Sequence, residues 1–454
     1  MAVIAPFRGI TYNFATADEL SRLMAPPYDI ISEEGRKRYY GNHPNNVIRL
    51  ILGEKKTGDS DWDNPYTRAA EYFRRWETQG ILVRSERPCI YITSHSFADS
   101  VQGPSSTRWG ILALVRIEEE GSGAILPHER TFSAHKDDRL RLMRSCNAHF
   151  SQIFSIYDDP SKDVLSMCRP YTEATPKMEF GFEDGSFHRM WEIADMDLHE
   201  ELAYFFSQRA LYIADGHHRY ETSRNYRNSM RARYGRRPAN KSYEFTMMYL
   251  CAMQDPGLKV LSSHRLLKTS RAFDIERFLQ DGKNVFDVEE FMLNGSDWNE
   301  RAHGLSMRLL ETGREKQSTL CLCTAGSLQV YLLKIKAGME ALMGEDIHPA
   351  LKSLDVLVLS RLILQKALGY TKEDLDNDRL IKYESDLSDS LAAVYRGDYR
   401  IGFMLNPTRI EQVKEVADNH LVMPRKSTYF YPKVLTGLVL NHAYPVDAEG
   451  RFGV

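Results

Sequence analysis

A chain of 454 residues with 62 acidic and 59 basic side chains, a formal net charge of −3, is too long for one ordinary core and carries no basic block or tail. That balance disfavours nucleic acid as a non-specific partner. The longest apolar runs, Ile111 to Ile117 and Leu354 to Leu364, are short or broken by Arg, so no membrane-spanning helix is expected. Before residue 60 the chain is loop-rich around Ala25-Pro-Pro-Tyr-Asp-Ile-Ile-Ser, where the double Pro predicts an extended segment. A helix follows: Asn64 can cap it, Pro65 suits its first position and Gly80 closes it. Tyr66, Ala69, Ala70, Phe73 and Trp76 share its apolar stripe, which reads as core. The opening Met1-Ala-Val-Ile-Ala-Pro-Phe-Arg lacks the pattern of a signal peptide, so the expected location is cytoplasmic.

Strands are predicted at 89–93 and 110–117, the second leading through Gly121 and Gly123 into Leu126-Pro-His-Glu-Arg-Thr. Residues 127–139 crowd charged side chains and two His after that strand. Glu129, Asp137 or Asp138 could accept a proton, and Lys136 or Arg139 could neutralise phosphate. The plainer alternative is a solvated connection into a helix at 138–146 capped by Asp137.

Residues 209–219, Arg-Ala-Leu-Tyr-Ile-Ala-Asp-Gly-His-His-Arg, are the most informative stretch. Leu211, Tyr212, Ile213 and Ala214 have the pattern of a strand buried on both faces, and Asp215 and Gly216 break it. Residues 220–234 lack Gly and Pro and can continue as a helix with His217, His218 and Arg219 in its first turn. Unpaired N–H groups and partial positive charge at such a helix start favour a phosphate or carboxylate, and Arg219 adds a planar donor fork. Here the plainer alternative is that Asp215 caps the helix and the His pair is solvated.

Further strands are predicted at 245–251 and 258–261. From 271 the pattern becomes a helix near 272–280, a strand near 285–292, a helix near 298–311, strands near 318–323 and 328–335, a helix near 349–368 and a strand near 400–405. This suggests lobes at 1–270 and 271–454. Met423-Pro-Arg-Lys-Ser-Thr-Tyr-Phe-Tyr-Pro-Lys could line a nucleotide pocket with Lys426 or Lys433 on phosphates, or close the core as an amphipathic loop. No P-loop and no Gly-x-Gly-x-x-Gly occurs. The six cysteines form no Cys-x-x-Cys, and Cys321 and Cys323 read as buried thiols on one strand face. His218 and Glu221, three apart on one helix face, could with His264 hold a metal, although the zincin pattern is absent.

Ala25-Pro-Pro-Tyr-Asp-Ile-Ile-Ser, His128-Glu-Arg-Thr, Ile213-Ala-Asp-Gly-His-His-Arg-Tyr-Glu-Thr and Pro424-Arg-Lys-Ser-Thr-Tyr-Phe-Tyr-Pro-Lys together resemble the prokaryotic family catalogued as domain of unknown function 1015, across nearly the whole chain. The unit strand-Asp-Gly-His-His-Arg-helix is similar to the signature turn of the ParB/sulfiredoxin superfamily, whose members bind nucleotide phosphates there and include kinases acting on free L-serine. His217 stands where sulfiredoxins have a nucleophilic Cys, and the Glu-Arg-Arg turn and basic helix-turn-helix domain of DNA-partitioning members are missing.

The resemblance implies a mixed α/β (α+β) fold, with a ParB/sulfiredoxin-like nucleotide-binding core and a second α/β lobe. It implies a nucleotide-dependent kinase that uses ATP or ADP with Mg²⁺ to convert a hydroxy amino acid, free L-serine, to its phosphate ester. Asp215 would lie at the reacting phosphate or its Mg²⁺, Gly216 would allow close backbone approach, and His217, His218 and Arg219 would hold phosphates, with His218 also catalytic. Lys136 and Lys426 are further phosphate candidates. Glu129 is the expected base, with Asp29 second. The rival readings are a nucleotide-responsive regulatory or DNA-associated ParB-like protein, and a metal-dependent phosphohydrolase using His218, Glu221 and His264.

Overall fold

In the computed structural model, which describes residues 1–13, 16–98, 105–129, 133–235, 241–268, 273–314, 317–375 and 377–443, the strand-forming runs of the first half pair into one nine-stranded mixed sheet. Its strands are β1 (Ile4–Ala5), β2 (Ile90–Ala98), β3 (Ser105–Arg116), β4 (Ile125–Leu126), β5 (Ile153–Tyr157), β6 (Met178–Gly181), β7 (Phe187–Ile193), β8 (Leu211–Asp215) and β9 (Phe245–Ala252). They lie in the order β4-β8-β5-β9-β3-β2-β7-β6, with β1 beside β3. β8 runs parallel to β4 and β9 parallel to β5, and the remaining pairs are antiparallel. Each of β5 and β8 has a strand on both sides, and all of β5, Ser155 included, and the apolar run Leu211 to Ala214 of β8 are buried.

Helices α1 (Pro65–Thr78), α2 (Ser133–Cys146), α3 (Asp163–Cys168), α4 (Met196–Ser207) and α5 (His217–Tyr234) accompany this sheet. α1 starts as expected, with Asn64 in a capping box and Pro65 at its first position, and it buries Ala69, Phe73 and Trp76. α4 adds Leu198, Leu202, Phe205 and Phe206 to a core that includes Leu211 and Ile213 of β8. α2 and α5 meet through Met143 and Tyr226. α2 begins at Ser133, so Asp137 lies inside the helix instead of capping it.

The chain divides into two compact units. The first comprises Met1–Pro127, Thr131–Lys259 and Pro432–Val454, and the second His128–Arg130 and Val260–Tyr431. The last described residues thus return to the first unit, where Asn441–His442 pairs with Ala148–His149 and Thr436 exchanges backbone hydrogen bonds with Ala25. The second unit holds an antiparallel sheet of β10 (His264–Leu267), β11 (Phe286–Met292), β12 (Thr319–Thr324), β13 (Gln329–Ile335), β14 (Ile381–Glu384) and β15 (Ile401–Leu405), in the order β11-β13-β12-β15-β10-β14. α6 (Trp298–Arg314) and α7 (Leu387–Tyr395) cover it with Leu305, Leu309, Leu391 and Val394. Cys321 and Cys323 are buried free thiols in this core, with Sγ atoms 3.8 Å apart. The helix expected over 349–368 forms as Pro349–Lys352, Asp355–Val358 and a π-helical stretch, Leu359–Ala367. Among the described residues no helix is long and apolar enough to cross a membrane.

Candidate functional site

The site begins where β8 ends. Its register against β5 shifts between Ile213 and Asp215, so that Asp215 pairs with Phe154, and such a bulge re-aims the side chain at a strand end. Gly216 then takes φ +92° and ψ 28°, the left-handed conformation. A Cβ at Gly216 would lie 2.9 Å from Arg219 Nε, so glycine is required both for the backbone angle and for the side chain folded over it. α5 starts at once with His217, His218 and Arg219, and Gly216 holds its N-cap position without a side-chain cap.

Asp215 is not the cap that the plainer alternative required. Its Oδ2 accepts from Arg219 Nη2, and its Oδ1 accepts from Lys433 Nζ at 2.7 Å. The three side chains are only 11–14% exposed. Burial by itself would raise the Asp215 carboxyl, but Lys433, Arg219 and His217 outweigh it and hold the group well below the usual carboxylate range. The turn therefore presents one carboxylate against a guanidinium and an ammonium at a helix N-terminus, an arrangement complementary to an anion. A divalent cation at Asp215 would sit between an ammonium and a guanidinium, so this donor set does not fit Mg²⁺.

Three contacts hold the segment that carries Lys433. The fully buried Arg108 donates from Nη1 to the Pro432 carbonyl and from Nε to Tyr249 Oη at 3.2 Å. Gln152 Nε2 donates to the Leu435 carbonyl at 2.8 Å, and the Ser151 and Thr436 hydroxyls lie 3.2 Å apart. Arg219 Nη1 donates to the Gln152 carbonyl, so one short stretch, 151–152, orients both cations.

Beside Arg219 is a small cavity of about 60 Å³, bordered by Tyr28, Arg139, Met143, His149, Thr222 and Ser223 among others. Arg139 lies 4.1 Å over the Tyr28 ring, and both side chains line the cavity. Tyr28–Ile30 is a 3-10 turn in place of the extended run expected there. His149 Nε2 and Thr222 Oγ1 are buried with no hydrogen-bond partner among the described residues. Burial lowers the His149 imidazole to about 4, so at neutral pH it is uncharged. These two atoms offer neutral hydrogen bonds to a small polar group or to water.

Of the residues singled out in the sequence, Asp215, Gly216, His217 and Arg219 come together at this turn, with His218 in the same helical turn. Lys136 in α2 is paired with Glu221 of α5 at 2.7 Å, so its ammonium is already neutralised. Glu129 belongs to the second unit, where it bridges to Met423, and His128 Nε2 lies 3.1 Å from Thr428 Oγ1. Lys426 is in that unit too, exposed and left-handed at φ +56°, with its carbonyl accepting from Arg265 at 3.0 Å. The structure thus brings Lys433 to Asp215, whereas of these two lysines the sequence favoured Lys426. His264 is buried in the second unit with Nδ1 accepting the Leu405 N–H at 3.2 Å, and burial lowers it to about 3. Among the described residues no three His, Cys, Asp or Glu side chains group as a metal site. Gln152, His149 and Thr222 carried no sequence signal, since single polar residues inside apolar strands and helices read as ordinary core.

The family described as protein of unknown function (DUF1015) matches residues 4–357. No curated protein matches the chain. Among solved structures, a free serine kinase in complex with AMP is similar at 12% identity and a TM-score of 0.30, over 72% of this chain and 88% of that one. SbnI with a C-terminal truncation, from Staphylococcus aureus, has 10% identity and a TM-score of 0.33 over 72% and 85%. A conserved hypothetical protein from Pyrococcus furiosus has 14% identity and a TM-score of 0.31 over 68% and 87%.

Proposed function

The chain belongs to the DUF1015 family, and on that premise we propose that it is a nucleotide-dependent small-molecule kinase with free L-serine as its first candidate acceptor. The observation that carries this reading is the turn itself: Asp215 anchors Arg219 and Lys433 at the start of α5, behind a glycine that lets backbone approach a phosphate. The same turn supports a ParB/sulfiredoxin-like core, by its resemblance in Asp215-Gly-His-His-Arg219. Serine as acceptor rests on that resemblance too.

In the proposed reaction the acceptor hydroxyl attacks the terminal phosphorus of ATP or ADP, its proton passes to a carboxylate, and the nucleotide leaves one phosphate shorter. Arg219 and Lys433 offset charge on the transferring group, and His217 and His218 hold the flanking phosphates. Asp29 is the proposed proton acceptor ahead of Glu129. It lies in the unit that carries the turn and adjoins Tyr28, which shares a cavity wall with Arg219.

Incubating the protein with L-serine, Mg²⁺ and ATP or ADP, and following ³¹P resonances, should show O-phosphoserine. Asp29→Asn should abolish turnover with nucleotide affinity retained, and Glu129→Gln should spare it. If nucleotide binds and no small hydroxy amino acid is phosphorylated, the kinase reading fails.

A further inference from the structure

The first unit contains a second and larger cavity, about 370 Å³, away from the phosphate turn. Asp215 pairs with Phe154 near the start of β5, whereas Tyr157, which borders this cavity, closes that strand. Three residues at ~3.3 Å each separate the two by about 10 Å along the sheet. The cavity shares no lining residue with the smaller one beside Arg219.

Its inner wall is apolar, with Ile92, Ile111 and Val164 each at most 3% exposed and Leu165 half-buried. Trp109 also borders it, held by a stack on Trp191 at 5.9 Å and 21°. Ser105, Ser106, Thr107, Gln254 and the exposed Lys162 also border it, and its two acidic groups are Asp159 and Asp255. Asp159, 1% exposed, accepts the Asp163 and Val164 N–H groups at 2.9 and 3.1 Å. Asp255 accepts the Gly257 and Trp109 N–H groups at 2.8 and 3.1 Å.

Neither carboxylate is in an ion pair with any described residue. Burial raises the Asp255 carboxyl, opposed by its two backbone N–H bonds and, more weakly, by Arg108 and Lys162. The Arg108 guanidinium is committed to Pro432 and Tyr249, and Lys162 is exposed at the rim. Two backbone N–H bonds fill about half of a carboxylate's acceptor sites, and a buried carboxylate without a counter-charge is costly. A cavity of this size, mostly apolar with a few convergent polar groups, has the anatomy of a small-molecule site.

We propose that this cavity binds a small organic cation, with an ammonium head against Asp255 and Asp159 and an aromatic or branched apolar body over Ile111 and Leu165. The site is separate from the phosphate turn, so its occupant and a nucleotide bind together.

The test uses the full chain, titrated with 2-phenylethylammonium and, as the charge-reversed control, phenylacetate, by ligand-observed NMR and calorimetry. The ammonium should bind at least tenfold more tightly than the carboxylate, with affinity unchanged by saturating ADP. Asp255→Asn should shrink the preference to under threefold. Leu165→Trp, which fills the cavity from a half-buried position, should abolish ammonium binding with the thermal midpoint retained, and it decides the matter even if Asp255→Asn fails to fold. No ammonium binding, equal binding of phenylacetate, competition by ADP, or undiminished binding to Leu165→Trp would each overturn the proposal.

Discussion

The Lys433 ammonium lies 2.7 Å from Asp215 Oδ1 although 218 residues separate them in sequence. This contact fastens the C-terminal return to the turn between β8 and α5, and it places a second cation where Arg219 alone would balance the carboxylate. Both partners are largely withdrawn from water; removing Asp215 strands two cations, whereas removing Lys433 leaves the carboxylate balanced by Arg219. Lys433→Met should therefore cost less than the roughly 3–5 kcal/mol expected where a broken buried pair leaves a charge uncompensated, read as a shift in urea midpoint. It should also weaken ADP binding by at least tenfold, and Lys433→Arg should restore much of both. Undiminished ADP affinity in Lys433→Met would remove this lysine from the anion site.

Acid titration separates two groups at the site. Asp215 is held below its ordinary value, so its contribution is fully present above about pH 3.9 and disappears as pH falls through the lower folded value. His149 titrates earlier. Its imidazole is held at about 4 in the folded chain, whereas the unfolded chain takes up that proton near 6.5, so stability declines as pH falls from about 6.5 to about 4. The two windows barely overlap. One such histidine accounts for roughly 3 kcal/mol at most. His149→Gln should flatten the decline between pH 6.5 and 4, and Asp215→Asn should flatten only the part below about pH 4. Burial lowers His188 to about 4 as well, so His149→Gln should reduce the slope without abolishing it.

What could be read from the sequence was local. Asn64 and Pro65 mark the start of α1 because cap and first-turn geometry are decided within four residues, and Leu211 to Ala214 declare a doubly buried strand by composition alone. The choice between Lys426 and Lys433 could not be made that way. Both lie in one cationic, aromatic loop, and what separates them is Arg108, more than 300 residues earlier, gripping the Pro432 carbonyl. The fate of Lys136 likewise depended on the packing of α2 against α5, which brings Glu221 to it. At 349–368 the sequence predicts one helix, but Ser353 and Leu354 interrupt the run and its second half widens into π geometry.

Lys136 provides a contrast with Lys433. Its ion pair with Glu221 is a quarter exposed on each side, where such pairs contribute only about 0–1 kcal/mol. Lys136→Ala should therefore shift the urea midpoint little and change ADP affinity by less than twofold. A tenfold loss in this variant, matched by Glu221→Gln, would show that the pair opens to meet phosphate and would return Lys136 to the site.

Gly216 tolerates a side chain poorly. A side chain there faces two obstacles, because the left-handed backbone disfavours any L residue by about 1–2 kcal/mol and the new Cβ would press into the Arg219 guanidinium. Guanidinium ends often swing aside, but this one is tied to Asp215 and to the Gln152 carbonyl, so it cannot yield without breaking one of those bonds. Gly216→Ala should lower stability by about 1–3 kcal/mol, combining the backbone penalty with a lost charged hydrogen bond, and should depress ADP binding more than Lys136→Ala does. Arg219→Ala in the same background removes the obstruction and leaves only the backbone penalty. The double variant should then lose less stability than the two single losses added together, and strict additivity would show that Gly216 and Arg219 do not constrain one another.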